Sequence, residues 1–126
     1  MVGAILGDIA GSRFEFSRPS KFNWRTETLF APDCRYTDDT VLCIASKYAI
    51  MTGHSFQHAY RAFGKRYPHV GYGAMFQDWI TATDRRPYQS CGNGAAMRAS
   101  VIGEFYTTLE EVEAKAAESA KCTHNH

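Results

Sequence analysis

The chain has almost no net charge: 14 lysines and arginines stand against 13 aspartates and glutamates in 126 residues. No whole-chain field therefore draws nucleic acid or an anionic membrane surface, and no run of like charges makes a solvated tail. No apolar stretch approaches the roughly 18 residues that a membrane-spanning helix needs. Cysteine is sparse: Cys34, Cys43, Cys91 and Cys122 form no C-x-x-C pair and no zinc-type spacing. We read them as reduced thiols. The opening MVGAILGDIAG is interrupted by Asp8 and meets its first arginine only at Arg13, the wrong polarity for a secretory signal. The expectation is a cytoplasmic chain with neither nucleic acid nor membrane as partner. Strand-like alternation, internal repeats and low-complexity tracts are also missing, which excludes a sheet or a solenoid. A hydrophobic fraction of 44% leaves enough for one compact domain spanning 1–126.

What is present is helical periodicity. Gly3, Gly7 and Gly11 stand at i, i+4 and i+8 in an apolar opening segment that runs to Phe16. On a helix they make one flat stripe, at a cost of about 1 kcal/mol of propensity per glycine. Residues 17–36, with Pro19 and Pro32, have no clean period and read as a long loop. From Thr37 the spacing of Val41, Leu42, Ala45, Tyr48 and Ala49 predicts a helix ended by Gly53. Ser55 caps a second, FQHAYRAFGKRY, and AMFQDWITAT reads as a third. GAAMRASVIGEFY resumes helix after a turn-rich loop, and Thr108 with Glu110 and Glu111 opens the last one. The fold class is all-α, with about five or six helices.

Three groups of residues could carry chemistry. Thr37-Asp38-Asp39-Thr40 suits a helix N-terminus, with Thr37 as cap and acids at the positive end of the dipole. The same hydroxyl and carboxylate oxygens also suit a hard cation such as Mg²⁺, Mn²⁺ or Ca²⁺. Asp8 and Glu15 lie two turns apart on nearly one face of the first helix, as a polar edge or as part of a site. Gly92-Asn93-Gly94 is either an ordinary turn or a loop offering backbone N–H groups to a phosphate. His54 and His58, though spaced i, i+4, read as surface residues for want of a third ligand. The terminal His124-Asn125-His126 lacks the setting of an HNH nuclease, and no cysteine has a histidine base beside it.

In chain order, GAILGDIAGSRFEF, YTDDTVL, RYPHVGYGAMFQDWI, SCGNGAAMR and SAKCTHNH resemble the ADP-ribosylglycohydrolase family, the one that includes dinitrogenase reductase-activating glycohydrolase. The resemblance implies an all-α bundle with two divalent cations, Mg²⁺ or Mn²⁺, in a central cleft. It implies hydrolysis of the glycosidic bond between ADP-ribose and an acceptor, on an ADP-ribosylated protein or a small ADP-ribose conjugate. Carried onto this chain, it makes Thr37, Asp38 and Asp39 metal ligands and gives Glu15 and Asp39 catalytic roles. Gly92, Asn93, Gly94 and His124 would line the substrate. The family's second ligand set, an Asp-x-Asp-Thr motif, is not found within 1–126. The chain thus matches the N-terminal half of that fold. We expect it to hold at most one cation weakly and to turn over little substrate alone. It would expose the glycine stripe together with Val101, Ile102 and Phe105 to a second copy or to a C-terminal half. The competing expectation is a non-catalytic helical module that binds nucleotide or a protein partner.

Overall fold

A computed structural model describes residues 1–17, 20, 22–23 and 25–126. Pro19, part of the expected loop, lies outside the described residues. Among the described residues the structure is all-helical, without strands. The helices are α1 (Val2–Gly11), α2 (Asp38–Thr52), α3 (Phe56–Arg66), α4 (Ala74–Thr81), α5 (Gly94–Met97), α6 (Ile102–Phe105) and α7 (Leu109–Lys121). A 3₁₀ turn, Ser12–Phe14, follows α1. None of these helices is long and apolar enough to cross a membrane.

The core forms around α2, which buries Val41, Leu42, Cys43, Ala45 and Ala49 and packs against α1 and α3. Gly53 ends α2 with φ of 72°, the left-handed conformation that favours glycine. Ser55 caps α3 by accepting the His58 N–H at 3.2 Å. Thr108 and Glu111 close a reciprocal capping box at the start of α7. A buried hydroxyl chain ties three helices together. Ser46 Oγ lies 2.8 Å from the Tyr60 hydroxyl, which lies 2.6 Å from Ser119 Oγ. Buried hydroxyls satisfied in this way fix which helix faces meet.

The contact of α3 with α4 depends on Gly64. A Cβ there would stand 2.5 Å from Ile80 Cδ1 and 2.8 Å from Cγ1. Ile80 is itself buried, so it must shift its side chain to make way. Gly64→Ala should therefore destabilise the fold by about 1 kcal/mol in urea unfolding, overpacking outweighing the gain in helix propensity. An unchanged midpoint would show that α4 slides freely on α3.

Two expectations need correction. GAAMRASVIGEFY is not one helix: the chain breaks at Arg98 between the single turns α5 and α6. The cause is Arg98, whose side chain is buried and donates to Ser119 O and Thr123 Oγ1 in and after α7. Long-range bonds to a buried charge override local propensity here. Val101 and Ile102 are not exposed either; both are fully buried in the core cluster. Phe105 is 41% exposed, and on α1 Val2 and Leu6 face solvent, with open space beside Gly3, Gly7 and Gly11. All four cysteines are free.

Candidate active site

The site begins with the N-terminus of α2, where unpaired N–H groups need acceptors. Asp8 on α1 supplies most of them. Its Oδ2 accepts the N–H of Thr37 at 2.8 Å and of Thr40 at 3.2 Å, and the Thr40 hydroxyl at 2.5 Å. Its Oδ1 accepts the Thr37 hydroxyl at 2.6 Å. Thr37 Oγ1 in turn accepts the Asp39 N–H at 3.3 Å, and the Asp38 N–H goes to Val70 O at 2.9 Å. Every N–H from Thr37 to Thr40 is thus satisfied without the carboxylates of Asp38 and Asp39. Thr37 is the cap; the helix start does not depend on either acid.

Those acids are held under electrostatic stress. Burial first, then the charge of Asp39, with smaller contributions from Glu15 and Asp8, pushes Asp38 up to about 6 against the opposing pull of its own backbone N–H. Asp39 is raised too, by burial and then by Asp8 and Glu15. Glu15, just beyond the 3₁₀ turn and itself exposed, therefore belongs to the same acidic neighbourhood. Tyr72 lies close enough to Asp38 to be pushed upward by its charge, although burial is the larger cause. Among the described residues its buried hydroxyl has no hydrogen-bond partner.

Asp38 also stands on the wall of a cleft of about 500 Å³. The loop Gly92-Asn93-Gly94 and His124 line the same cleft, with Leu42, Phe76 and Met97 as apolar lining. Tertiary packing alone brings these distant segments together. The loop is held from the end of α7: Ser90 N–H donates to Thr123 O at 3.0 Å, and Gln89 N–H to Asn125 Oδ1 at 2.8 Å. Gln89 has φ of 54°, the one non-glycine residue in the left-handed region among those described. Such strain persists only where surrounding contacts over-determine it. His124 Nε2 lies 2.9 Å from Gly92 O, and Nδ1 lies 2.8 Å from Thr123 Oγ1. A carbonyl can only accept, so Nε2 carries the proton and, in the neutral ring, Nδ1 accepts.

The ADP-ribosylglycohydrolase family model matches residues 1–126. The chain belongs to the ADP-ribosylglycohydrolase family. Mouse ADP-ribosylhydrolase ARH3 is 31% identical over 119 residues, covering 79% of this chain and 31% of the mouse protein. Human ADP-ribosylhydrolase ARH3 is 27% identical over 161 residues, covering 98% of this chain and 43% of the human protein. The chain thus spans less than half the length of these relatives. No solved structure gives a significant match.

ADP-ribosylglycohydrolases are generally metal-dependent. The donor chemistry here fits a hard divalent cation: Asp38 and Asp39 are adjacent, free of capping duty, and crowded by like charge that a cation would relieve. Among the described residues, however, no three His, Cys, Asp or Glu side chains converge on one point as a metal cage would require. The Thr37 hydroxyl is already committed to Asp8 and Asp39 N–H. Of the residues expected in the site, Asp38, Gly92, Asn93, Gly94 and His124 line the cleft; Thr37, Asp39 and Glu15 are not among its lining residues. The histidine pair at His54 and His58 stacks at 4.9 Å on the exposed surface, away from this site.

Sequence reasoning placed Asp8 on a polar edge or in a site without pairing it with the start of α2, and it assigned no role to Arg98. An acid inside an otherwise apolar helix must find donors, and two threonines flanking an acid pair at a helix start are ready ones. That signal could have paired Asp8 with Thr37 and Thr40. Nothing local marked Arg98 as buried.

Proposed function

We propose that residues 1–126 form one all-α unit carrying the N-terminal share of a cytoplasmic ADP-ribosyl hydrolase site. The observation that carries the reading is the single cleft lined by Asp38 together with Gly92, Asn93 and Gly94. In this reading Asp38 and Asp39 hold a single Mg²⁺ or Mn²⁺ weakly. When bound, that ion would help orient ribose hydroxyls and acidify a water. The chain's own residues do the rest. The Gly92–Gly94 loop, braced by His124, holds the ADP-ribose moiety. Asp39 and Glu15 place negative charge near the reacting carbon, where positive charge develops as the glycosidic bond breaks. Asp8 acts behind them by fixing the helix start from which both aspartates project.

A second reading, ADP-ribose binding without turnover, is favoured by the lack of a third converging metal ligand among the described residues. One experiment tests the cleft and its turnover together. ADP-ribose should shift the amide resonances of Gly92, Asn93 and Gly94 and those at the start of α2, with or without Mn²⁺. Release of ADP-ribose from an ADP-ribosylated peptide should stay near background even with Mg²⁺. Shifts confined to another face of the molecule would overturn the cleft assignment. Robust metal-dependent release would overturn the expectation of little turnover.

A further inference from the structure

One face of α3 is basic and takes no part in the cleft. His58, Arg61, Ala62 and Lys65 recur at i, i+3, i+4 and i+7, which sets them in one stripe along the helix. Together with Arg85, from the segment between α4 and α5, they line a hollow of about 440 Å³. No aspartate or glutamate is among its described lining residues, and none of those residues lines the cleft.

The hollow is built around fixed groups. Arg61 is buried and reaches from α3 to the end of α4, where it donates to Trp79 O and, at 2.6 Å, to Ala82 O. Gln57 Nε2 donates to Arg85 O at 2.6 Å, which ties the backbone of Arg85 to the first turn of α3. Burial first, and then the charge of Arg85, lowers the proton affinity of Arg61. The two guanidinium groups are therefore near enough to repel. Asp84, the carboxylate beside Arg85 in sequence, is taken by Arg86, whose Nη2 lies 2.7 Å from its Oδ2. Among the described residues neither Lys65 nor Arg85 has an ion-pair or side-chain hydrogen-bond partner, and both are exposed. The first turn of α3 holds no acid, and its N-terminal end adds positive potential. A hollow lined by charge of one sign focuses that potential on whatever enters it.

We propose that this hollow is a binding site for a phosphate group, free or carried by a nucleotide. Arg61 supplies a fixed positive charge, and the long side chains of Lys65 and Arg85 close on the oxygens. Arginine presents paired N–H donors that match phosphate oxygens, and lysine adds a point charge beside them. A carboxylate would bring one negative charge to these cations, whereas a phosphate monoester brings nearly two. The inference does not depend on the reading of the cleft.

The test is a titration of ¹⁵N-labelled chain with inorganic pyrophosphate, AMP and adenosine at low salt, following backbone amide resonances. Pyrophosphate and AMP should shift Gln57, His58, Lys65 and Arg85, and adenosine should not. Shifts with pyrophosphate alone would assign the site to free phosphate, and shifts with AMP alone to a nucleotide; either supports it. Arg85→Ala should weaken binding about tenfold, and Lys65→Ala somewhat less. Both side chains are exposed, so the variants should fold as the wild type does. Arg66→Ala removes an equal charge next to Lys65 but outside the hollow, and should leave the affinity within about twofold. Equal weakening by Arg66→Ala and Arg85→Ala would reduce the effect to diffuse surface charge and overturn the site. Shifts confined to Gly92, Asn93 and Gly94, adenosine acting as AMP does, or no shift with any probe would overturn it as well.

Discussion

Replacing Asp8 by alanine should destabilise the fold by about 3 kcal/mol and lower the melting temperature by roughly 10 °C. Its two oxygens accept four hydrogen bonds from Thr37 and Thr40, both of them buried. Losing the acceptor orphans two backbone N–H groups and two hydroxyls at the start of the longest helix. Water entering the space left by the carboxylate recovers part of that loss. An opposing effect exists: Asp8 adds to the repulsion on Asp38 and Asp39, and its removal relieves some of it. That relief is worth about 1 kcal/mol or less at a half-buried site, so the hydrogen bonds win. Asp8→Asn keeps one acceptor oxygen for the three donors on Oδ2 and should cost about a third as much. Thermal melts of the two variants check the order. An alanine variant that melts with the wild type would show that α2 caps itself and that Asp8 is only a polar edge of α1.

The same residue shows what could be read before the structure and what could not. Thr37-Asp38-Asp39-Thr40 announces a helix start through residue type alone, and α2 begins there. Gly53, Ser55 and Thr108 likewise mark helix ends through local chemistry, and each occupies its expected place. Such signals act within one turn of chain and need no partner. The cleft is different. Asp38 meets Gly92 and His124 only because α2, α3 and α7 pack around Tyr60, Ser46 and Ser119, and no spacing encodes that. Arg98 shows the limit most clearly. Local pattern makes it an ordinary position in a helix running through GAAMRASVIGEFY. Its bonds to Ser119 and Thr123 instead bury it and break the helix into α5 and α6. The same turn carries Val101 and Ile102 into the core, where the match to half of a larger fold had suggested exposure.

Asp38→Asn should make the protein more stable near pH 7.5 and weaken Mn²⁺ binding by at least about tenfold. The sign follows from the direction of the shift. The folded state holds the Asp38 proton up to about 6, above the ordinary aspartate value of 3.8. The proton therefore stabilises the fold fully below about pH 4, and that contribution is lost as pH rises through about 6. At pH 7.5 the ionised carboxylate is a burden that a neutral amide of the same shape does not carry. A shift of this size corresponds to at most roughly 3 kcal/mol. Solvent screening at a half-buried position should bring the observed gain to about 1.5 kcal/mol. The difference between variant and wild type should vanish by about pH 4. Mn²⁺ supplies the independent readout, since a cation bound to the folded state raises its melting temperature by mass action. That rise should occur in the wild type at pH 7.5, shrink as protons compete below about 6, and be absent in Asp38→Asn. A carboxylate kept in place against stability and needed for the cation is a functional group. A variant that is less stable at pH 7.5, yet binds Mn²⁺ as the wild type does, would instead make Asp38 part of the scaffold.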